Sequence, residues 1–155
     1  MRQISARTSM RRGATLVETA LVLSALIILL LAIMEYSRFI MIQQVVENAT
    51  REGAHLTSSA DGSDSTNYSY QTTSSIQAAV TNAMGGQAVT LSGLSIQVYL
   101  ADSSGNNIGS WSDAQVGQNI AVEVTGTYAP ILPSLGLLPS TITVHSKCVM
   151  YSEGD

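Results

Sequence analysis

One carboxylate lies at the start of a long apolar run, where a charged group needs a chemical reason. Residues 13–18 read GATLVE, and Glu18 is the one ionisable side chain between Ala14 and Met34. An acid in hydrocarbon costs about 2.5 to 3.5 kcal/mol on insertion scales, so we expect it to have a partner. Hydrolysis after Gly13 would free an α-amino group on Ala14, with Glu18 as the fifth residue of the shortened chain. If the chain were cut there, the new ammonium could pair with the Glu18 carboxylate of a neighbouring subunit.

The apolar run after Gly13 is long enough to cross a bilayer. Residues 14–34 contain twelve Leu, Ile and Val residues, and at about 1.5 Å per residue they reach roughly 32 Å. An ordinary signal peptide is the alternative, but its apolar core is shorter, and residues 32–34 (AIM) offer no small-x-small cleavage site. Lys and Arg favour the cytoplasmic side, which predicts a cytoplasmic N-terminus and an exported C-terminal part. Four arginines precede the span: Arg2, Arg7, Arg11 and Arg12.

The helical pattern continues beyond the span and becomes amphipathic. Apolar or small residues recur there at spacings of three and four, which predicts one helix from about Thr15 to His55. They are Phe39, Ile42, Val46, Ala49 and Gly53. The predicted organisation is a basic leader (1–13), a long N-terminal helix (14–56) with its span at about 14–34, a polar loop (57–75) and an exported domain (76–155).

The predicted loop is rich in Ser, Thr, Asp and Asn, which compete for backbone hydrogen bonds and bury little apolar area. Asp61 and Asp64 raise the question of calcium, but the acid order, central Gly and closing Glu of an EF-hand loop are missing. We therefore expect a loop without a metal site.

The exported domain combines a short helix with alternating strands. Ser74 or Ser75 is the expected cap of the helix, and Gly85-Gly86 is its expected stop. Alternation predicts three strands, at 94–100, 120–128 and 141–151, with one face buried. Pro130, Pro133 and Pro139 bracket a leucine-containing crossing loop that either caps the core or contacts a neighbouring subunit. The predicted fold class is α+β: a long transmembrane and amphipathic helix packed on a short helix and an antiparallel sheet of three to four strands.

Charge and composition argue against several functions. The formal net charge of −4 becomes −8 without the four leader arginines, which does not suit nucleic-acid binding. His55 and His145 lie in no zinc motif, and no GxSxG elbow or phosphate loop is present, so we expect neither an enzyme nor a cofactor or metal. The single Cys148 falls on the more apolar face of its strand, which favours a buried structural role over a reactive or bridging thiol.

Two parts of the chain resemble known families. The spacing of Gly13 and Glu18 resembles that of type IV prepilins. Residues 35–38 (EYSR), 43–44 (QQ) and 49–54 (ATREGA) resemble the N-terminal signature of the TadE-like family, minor pilin-like proteins of the tight-adherence (Tad/Flp) pilus. The similarity extends from Arg11 to about Ala54. The family motif residues are Glu35, Tyr36, Arg38, Arg51, Glu52 and Gly53.

The resemblance implies a pilus-assembly function. A prepilin peptidase would cleave after Gly13, and the partners would be pilin subunits and assembly proteins at the bacterial inner membrane, with possible incorporation into an extracellular pilus. Thr19 follows Glu18 where the major Flp pilins have Tyr, and the exported part is far larger than theirs, which favours a minor subunit. The alternative is an uncleaved single-pass protein whose periplasmic domain binds a partner of a secretion or surface apparatus.

Overall fold

A computed structural model describes residues 6–60, 70–131 and 139–153. The chain divides into two compact units, Met1–Arg38 and Phe39–Asp155. Helix α1 is continuous from Ala6 to Ser58. It therefore begins and ends beyond the range of about Thr15 to His55 that the hydrophobic pattern suggested.

The second unit contains, besides the last twenty residues of α1, one helix and four strands. The elements are α2 (Thr73–Met84), β1 (Leu91–Ala101), β2 (Asn107–Gly109), β3 (Asn119–Tyr128) and β4 (Ile142–Tyr151), with short 3-10 helices at Gly85–Thr90 and Trp111–Asp113. The strands form one antiparallel sheet in the order β2-β1-β3-β4. This confirms the predicted α+β class.

The core of this unit lies between the two helices and one face of the sheet, here called the inner face. From α1, Ile42, Val46 and Ala49 are buried, as the predicted stripe requires. From α2 the buried residues are Ile76, Val80 and Met84, and from β3 they include Ile120, Val122, Val124 and Tyr128. Buried residues at every third or fourth position of the helices and at alternate positions of the strand thus form one cluster.

The start of α2 differs from the prediction. Thr72, not Ser74 or Ser75, is the N-cap: its hydroxyl accepts a hydrogen bond from the Ser75 N–H at 3.1 Å. The Ser75 hydroxyl accepts in turn from the Thr72 N–H at 3.0 Å, which completes a capping box. The helix ends at Met84, with Gly85 as C-cap at a φ of 57°, where the glycine pair predicts a stop.

The first strand also departs from the prediction. β1 begins at Leu91, ahead of the alternating residues 94–100, and the short β2 pairs with its far end. Tyr99, expected among the polar alternating positions, is only 4% exposed. The Asp102–Asn106 turn folds over this outer face of the sheet, and a Cβ at Gly105 would lie 3.6 Å from Val149 of β4. Tyr99, Ala101 and Ala121 form a second, smaller buried cluster there.

Several predicted features fall outside the described residues. They include Asp61 and Asp64 of the polar loop and the four leucines of the proline-bracketed segment: Leu132, Leu135, Leu137 and Leu138.

Candidate functional site

Gly13, Ala14 and Glu18 lie on α1, where a separation of four residues places Ala14 and Glu18 on the same helix face. All three residues are exposed. In the described part of the chain, the Glu18 carboxylate has no hydrogen-bond or ion-pair partner. The structure therefore leaves the acid available to a group from another molecule.

The hydroxyls near the apolar run bind their own helix. Thr19 donates to the Thr15 carbonyl at 2.7 Å, and Ser24 donates to the Ala20 carbonyl at 2.8 Å. Such bonds to the residue four positions earlier satisfy a hydroxyl inside an apolar environment. Glu18 thus differs from its polar neighbours, because the helix itself gives it nothing to bind.

The apolar side chains of this segment are exposed. Leu16, Val17 and Leu21 are each about 70% exposed, and the most apolar window of the helix has no buried residue. Among the described residues, one helix is long and apolar enough to cross a membrane. Since a water-exposed surface of this kind is unfavourable, we take the segment to be a single membrane anchor.

The first half of the family motif lies near the end of the first unit. Glu35 is buried, whereas Tyr36 is exposed. Arg38 lies one turn after Glu35, and its Nη1 atom is buried without a hydrogen-bond partner in the described part of the chain.

The second half of the motif has different environments at adjacent positions. The Arg51 guanidinium forms an exposed ion pair with Glu47 one turn earlier, as the i,i+4 spacing predicts. Glu52 is exposed, and Gly53 is buried. A Cβ at Gly53 would collide with a methyl of Val80 on α2 and would lie 3.5 Å from Val122 on β3. Gly53 therefore allows α1 to approach both α2 and the sheet closely.

The two motif glycines differ in what the fold requires of them. At Gly13 an added Cβ would meet nothing within 4 Å, and its φ is not positive. Glycine inside a helix costs about 1 kcal/mol relative to alanine. The fold accounts for glycine at position 53 and not at position 13.

Sequence reasoning missed a polar cluster on the outer face of the sheet. Glu123 accepts a hydrogen bond from the Tyr99 hydroxyl at 2.6 Å, contacts His145 Nε2 at 2.9 Å and pairs with Lys147 at 3.4 Å. Lys147 also donates to the Gly105 carbonyl at 3.1 Å. His145 is half-exposed and paired with Glu123. The strand register could have revealed this cluster, because Glu123 lies opposite Lys147.

This cluster is suited to holding the structure together. The Tyr99 hydrogen bond, and next the contacts with His145 and Lys147, lower the pKa of Glu123, against the effect of burial. Burial is the main cause that raises the pKa of Tyr99, so the phenol remains a donor at neutral pH. With Lys147 bound to Gly105, the cluster fastens the β1–β2 turn to the sheet.

Cys148 lies on the inner face of β4, partly buried against the core. Burial raises the pKa of its thiol, which the Arg51 charge opposes only in part. A thiol with a raised pKa is a poor nucleophile at neutral pH. Among the described residues, no group of three His, Cys, Asp or Glu side chains is arranged to hold a metal ion.

The similarity found by comparison with known proteins lies in the long N-terminal helix. Residues 13–55 match the family described as TadE-like protein, which confirms the resemblance. The match covers 43 of 155 residues and includes none of the strands. No curated protein and no solved structure matches the chain. The N-terminal helix of this chain is therefore similar to the matched region of TadE-like proteins.

We expect Gly53→Ala to destabilise the exported domain although alanine is the better helix former. Overpacking against Val80 costs about 1 to 3 kcal/mol. Denaturant unfolding of the full chain in detergent, followed by emission of the buried Trp111, measures this.

The matched control for that substitution is Gly86→Ala, because Gly86 has open space and no positive φ. Its stability should stay within about 0.5 kcal/mol of the parent, as for other surface changes. In a Val80→Ala background Gly53→Ala should cost less than alone, and an equal cost in both backgrounds would refute the collision.

We expect acid to weaken the outer-face cluster through Glu123. Because its folded pKa is lowered, the carboxylate stabilises the fold above its unfolded pKa of about 4.5, and this contribution is lost as pH falls through the folded pKa. Glu123→Gln should therefore flatten the fall of unfolding free energy as the pH drops below about 4.5. Tyr99→Phe, which removes the main cause of the shift, should move that fall to higher pH. Unchanged profiles in both variants would contradict this role.

Proposed function

We propose that this chain is a minor pilin-like subunit that takes part in assembling a Tad/Flp-type adhesive pilus after cleavage by a prepilin peptidase. The observation that carries the proposal is the family match, which begins at Gly13, the residue after which the sequence predicts hydrolysis. The exposed apolar helix and the unpartnered Glu18 support it independently, since both call for neighbouring molecules.

In this proposal the chain is anchored once in the bacterial inner membrane. The arginine-rich leader stays in the cytoplasm, where the peptidase acts, and the exported domain lies in the periplasm. Its further partners are other pilin or pilin-like subunits and pilus-assembly proteins. Incorporation into the extracellular fibre would follow extraction of the apolar helix from the bilayer into a bundle of similar helices.

The environment of Gly13 supports recognition by an outside protein. Neither backbone conformation nor packing requires glycine there, although glycine weakens the helix. If glycine is required at position 13, the requirement therefore comes from a partner protein and not from the fold. In the proposal that partner is the peptidase, whose active site must reach the peptide bond between Gly13 and Ala14.

Cleavage also supplies the missing partner of Glu18. The new ammonium on Ala14 of one subunit would meet the Glu18 carboxylate of a neighbour. At about 4 Å and an effective dielectric near 20, unit charges gain about 4 kcal/mol. This gain is comparable to the cost of placing the acid in hydrocarbon. Because one ammonium faces one carboxylate, the pair would also set the axial register between subunits.

The first test is the N-terminus of the chain in the membrane fraction. Intact-mass spectrometry should find a chain that begins at Ala14. Gly13→Val should leave the leader attached, whereas Gly53→Ala should be processed normally despite its folding defect. A parent chain that keeps its leader would refute the proposal and favour an uncleaved single-pass protein whose domain binds a partner of a surface apparatus.

The second test is Glu18→Gln, which removes the charge and keeps the shape. We expect crosslinking between subunits and pilus assembly to fall at least tenfold, because the ammonium loses its partner. Glu52→Gln is the matched control, since Glu52 is exposed in the second unit. If Glu18→Gln left crosslinking and assembly unchanged, the register role would be wrong, while a chain still cut after Gly13 would keep the pilin-like proposal.

A further inference from the structure

The strand β4 lies at the edge of the sheet and has a free side. It pairs with β3 at ten consecutive positions, from Asn119 opposite Tyr151 to Tyr128 opposite Ile142. No strand lies on its other side in the described sheet. Any polar main-chain group that points away from β3 is therefore available to another strand.

Hydrogen bonds at the end of the ladder show which groups these are. The Ser152 N–H donates to the Gln118 carbonyl at 2.8 Å, and the Gly117 N–H donates to the Ser152 carbonyl at 2.9 Å, a bulge at the positive-φ Gly117. Since antiparallel pairs alternate between bonded and non-bonded, even-numbered residues of β4 bond to β3. The outward N–H and C=O groups belong to Thr143, His145, Lys147, Val149 and Tyr151.

A groove runs along this free edge. A cavity of about 410 Å³ is lined by three α1 residues at i, i+4 and i+8, Gln43, Glu47 and Arg51, and by residues 145–149 of β4. The C-terminal ends of α1 and β4 coincide, where the Glu153 N–H donates to the Ser58 carbonyl at 2.7 Å. One row of the helix thus forms a wall beside the strand edge. We call this the edge groove.

Within its own described residues, β4 lacks several of the usual protections of an edge strand. Proteins protect edge strands from unwanted pairing by keeping them short, by interrupting them with proline or bulges, or by placing charges over them. The opposite edge, β2, has three residues, whereas β4 has ten, with neither Pro nor Gly. The one charged side chain of β4, Lys147, is held over the sheet by Glu123 and the Gly105 carbonyl.

The charge of the edge groove indicates what would occupy it. Beyond Arg38 the chain has nine Asp and Glu residues but only two Lys or Arg, and both of these, Arg51 and Lys147, line this groove. His145 lines it as well. The pair of Arg51 with Glu47 is exposed, and such pairs exchange readily, whereas Lys147 stays with Glu123 over the sheet. A second β4 is a poor complement, because its sequence ITVHSKCVMY contains no acid.

We propose that the edge groove binds an extended acidic segment of another polypeptide, which adds to the sheet as a fifth strand beside β4. Its main chain pairs with the outward groups of His145, Lys147 and Val149. Acidic side chains on its α1-facing side lie near Arg51. This mode combines main-chain affinity with side-chain selection, and it does not depend on cleavage after Gly13.

Amide hydrogen exchange of the full ¹⁵N-labelled chain in detergent tests this proposal. The probes are two N-acetylated, C-amidated heptapeptides, one alternating threonine with glutamate and one alternating threonine with lysine. The glutamate peptide at saturation should slow exchange at His145, Lys147 and Val149 at least tenfold. Ser146 and Cys148, already bonded to β3, should change little, so protection at every second residue identifies strand addition.

Two variants distinguish the contribution of main-chain pairing at the strand edge from that of the charged side chains. Val149→Pro removes an outward N–H that β3 does not use, so it should abolish protection while the Trp111 emission spectrum stays native. Arg51→Glu, on an exposed helix face, should weaken the glutamate peptide at least tenfold and favour the lysine peptide. The proposal is overturned if the glutamate peptide gives no protection or if both peptides protect equally. Protection that rises with protein concentration alone would also overturn it, because it would assign the edge to a second copy.

Discussion

The close approach of α1 to α2 and the sheet at Gly53 is the contact on which the fold of the second unit depends. Strands β1, β3 and β4 have one apolar face, and the last turns of α1 are among the main elements that cover it. Small residues let a helix backbone approach a sheet closely, and Ala49 and Gly53 are buried residues of α1. A side chain at position 53 would push α1 away from both Val80 and Val122, because both lie against this position.

Gly13 and Gly53 both lie within the family match, but the presence of glycine has a different explanation at each position. Gly53 is explained inside the chain, by the space that Val80 leaves. Gly13 has room for a side chain and an ordinary backbone, so the proposal attributes it to recognition by another molecule. Glu18 belongs to the second kind, because the described chain provides it no partner. Motif residues that the fold does not explain cluster at the start of α1, where an assembling subunit would contact its processing enzyme and its neighbours.

Periodicity predicted the parts of this fold that depend on local pattern. The stripe of Ile42, Val46 and Ala49 and the alternation of β3 both identify buried faces, because burial there follows directly from side-chain direction. Residues 13–18 could be singled out from sequence, since an acid in an apolar run is visible without a fold. The burial of Tyr99 could not, because it depends on a turn that folds back over the strand. The Thr72 cap was missed because Thr72, Ser74 and Ser75 are all competent caps, and only the capping-box geometry distinguishes them.

The outer-face cluster and the edge groove share Lys147. The cluster lies outside the family match, whereas the groove combines three helix residues inside the match with β4 outside it. Fixing the Lys147 side chain on Glu123 and Gly105 steadies the β1–β2 turn, and it also removes the one charge that would guard the edge of β4. The same interaction thus stabilises the domain and leaves the strand open to pairing. Under the two proposals the chain has two separate means of association: an apolar helix shared with similar subunits, and a strand edge beside Arg51 that selects a different partner. Because the helix wall of the groove falls within the family match and the strand does not, we expect the features of the groove that are particular to this chain to lie on β4.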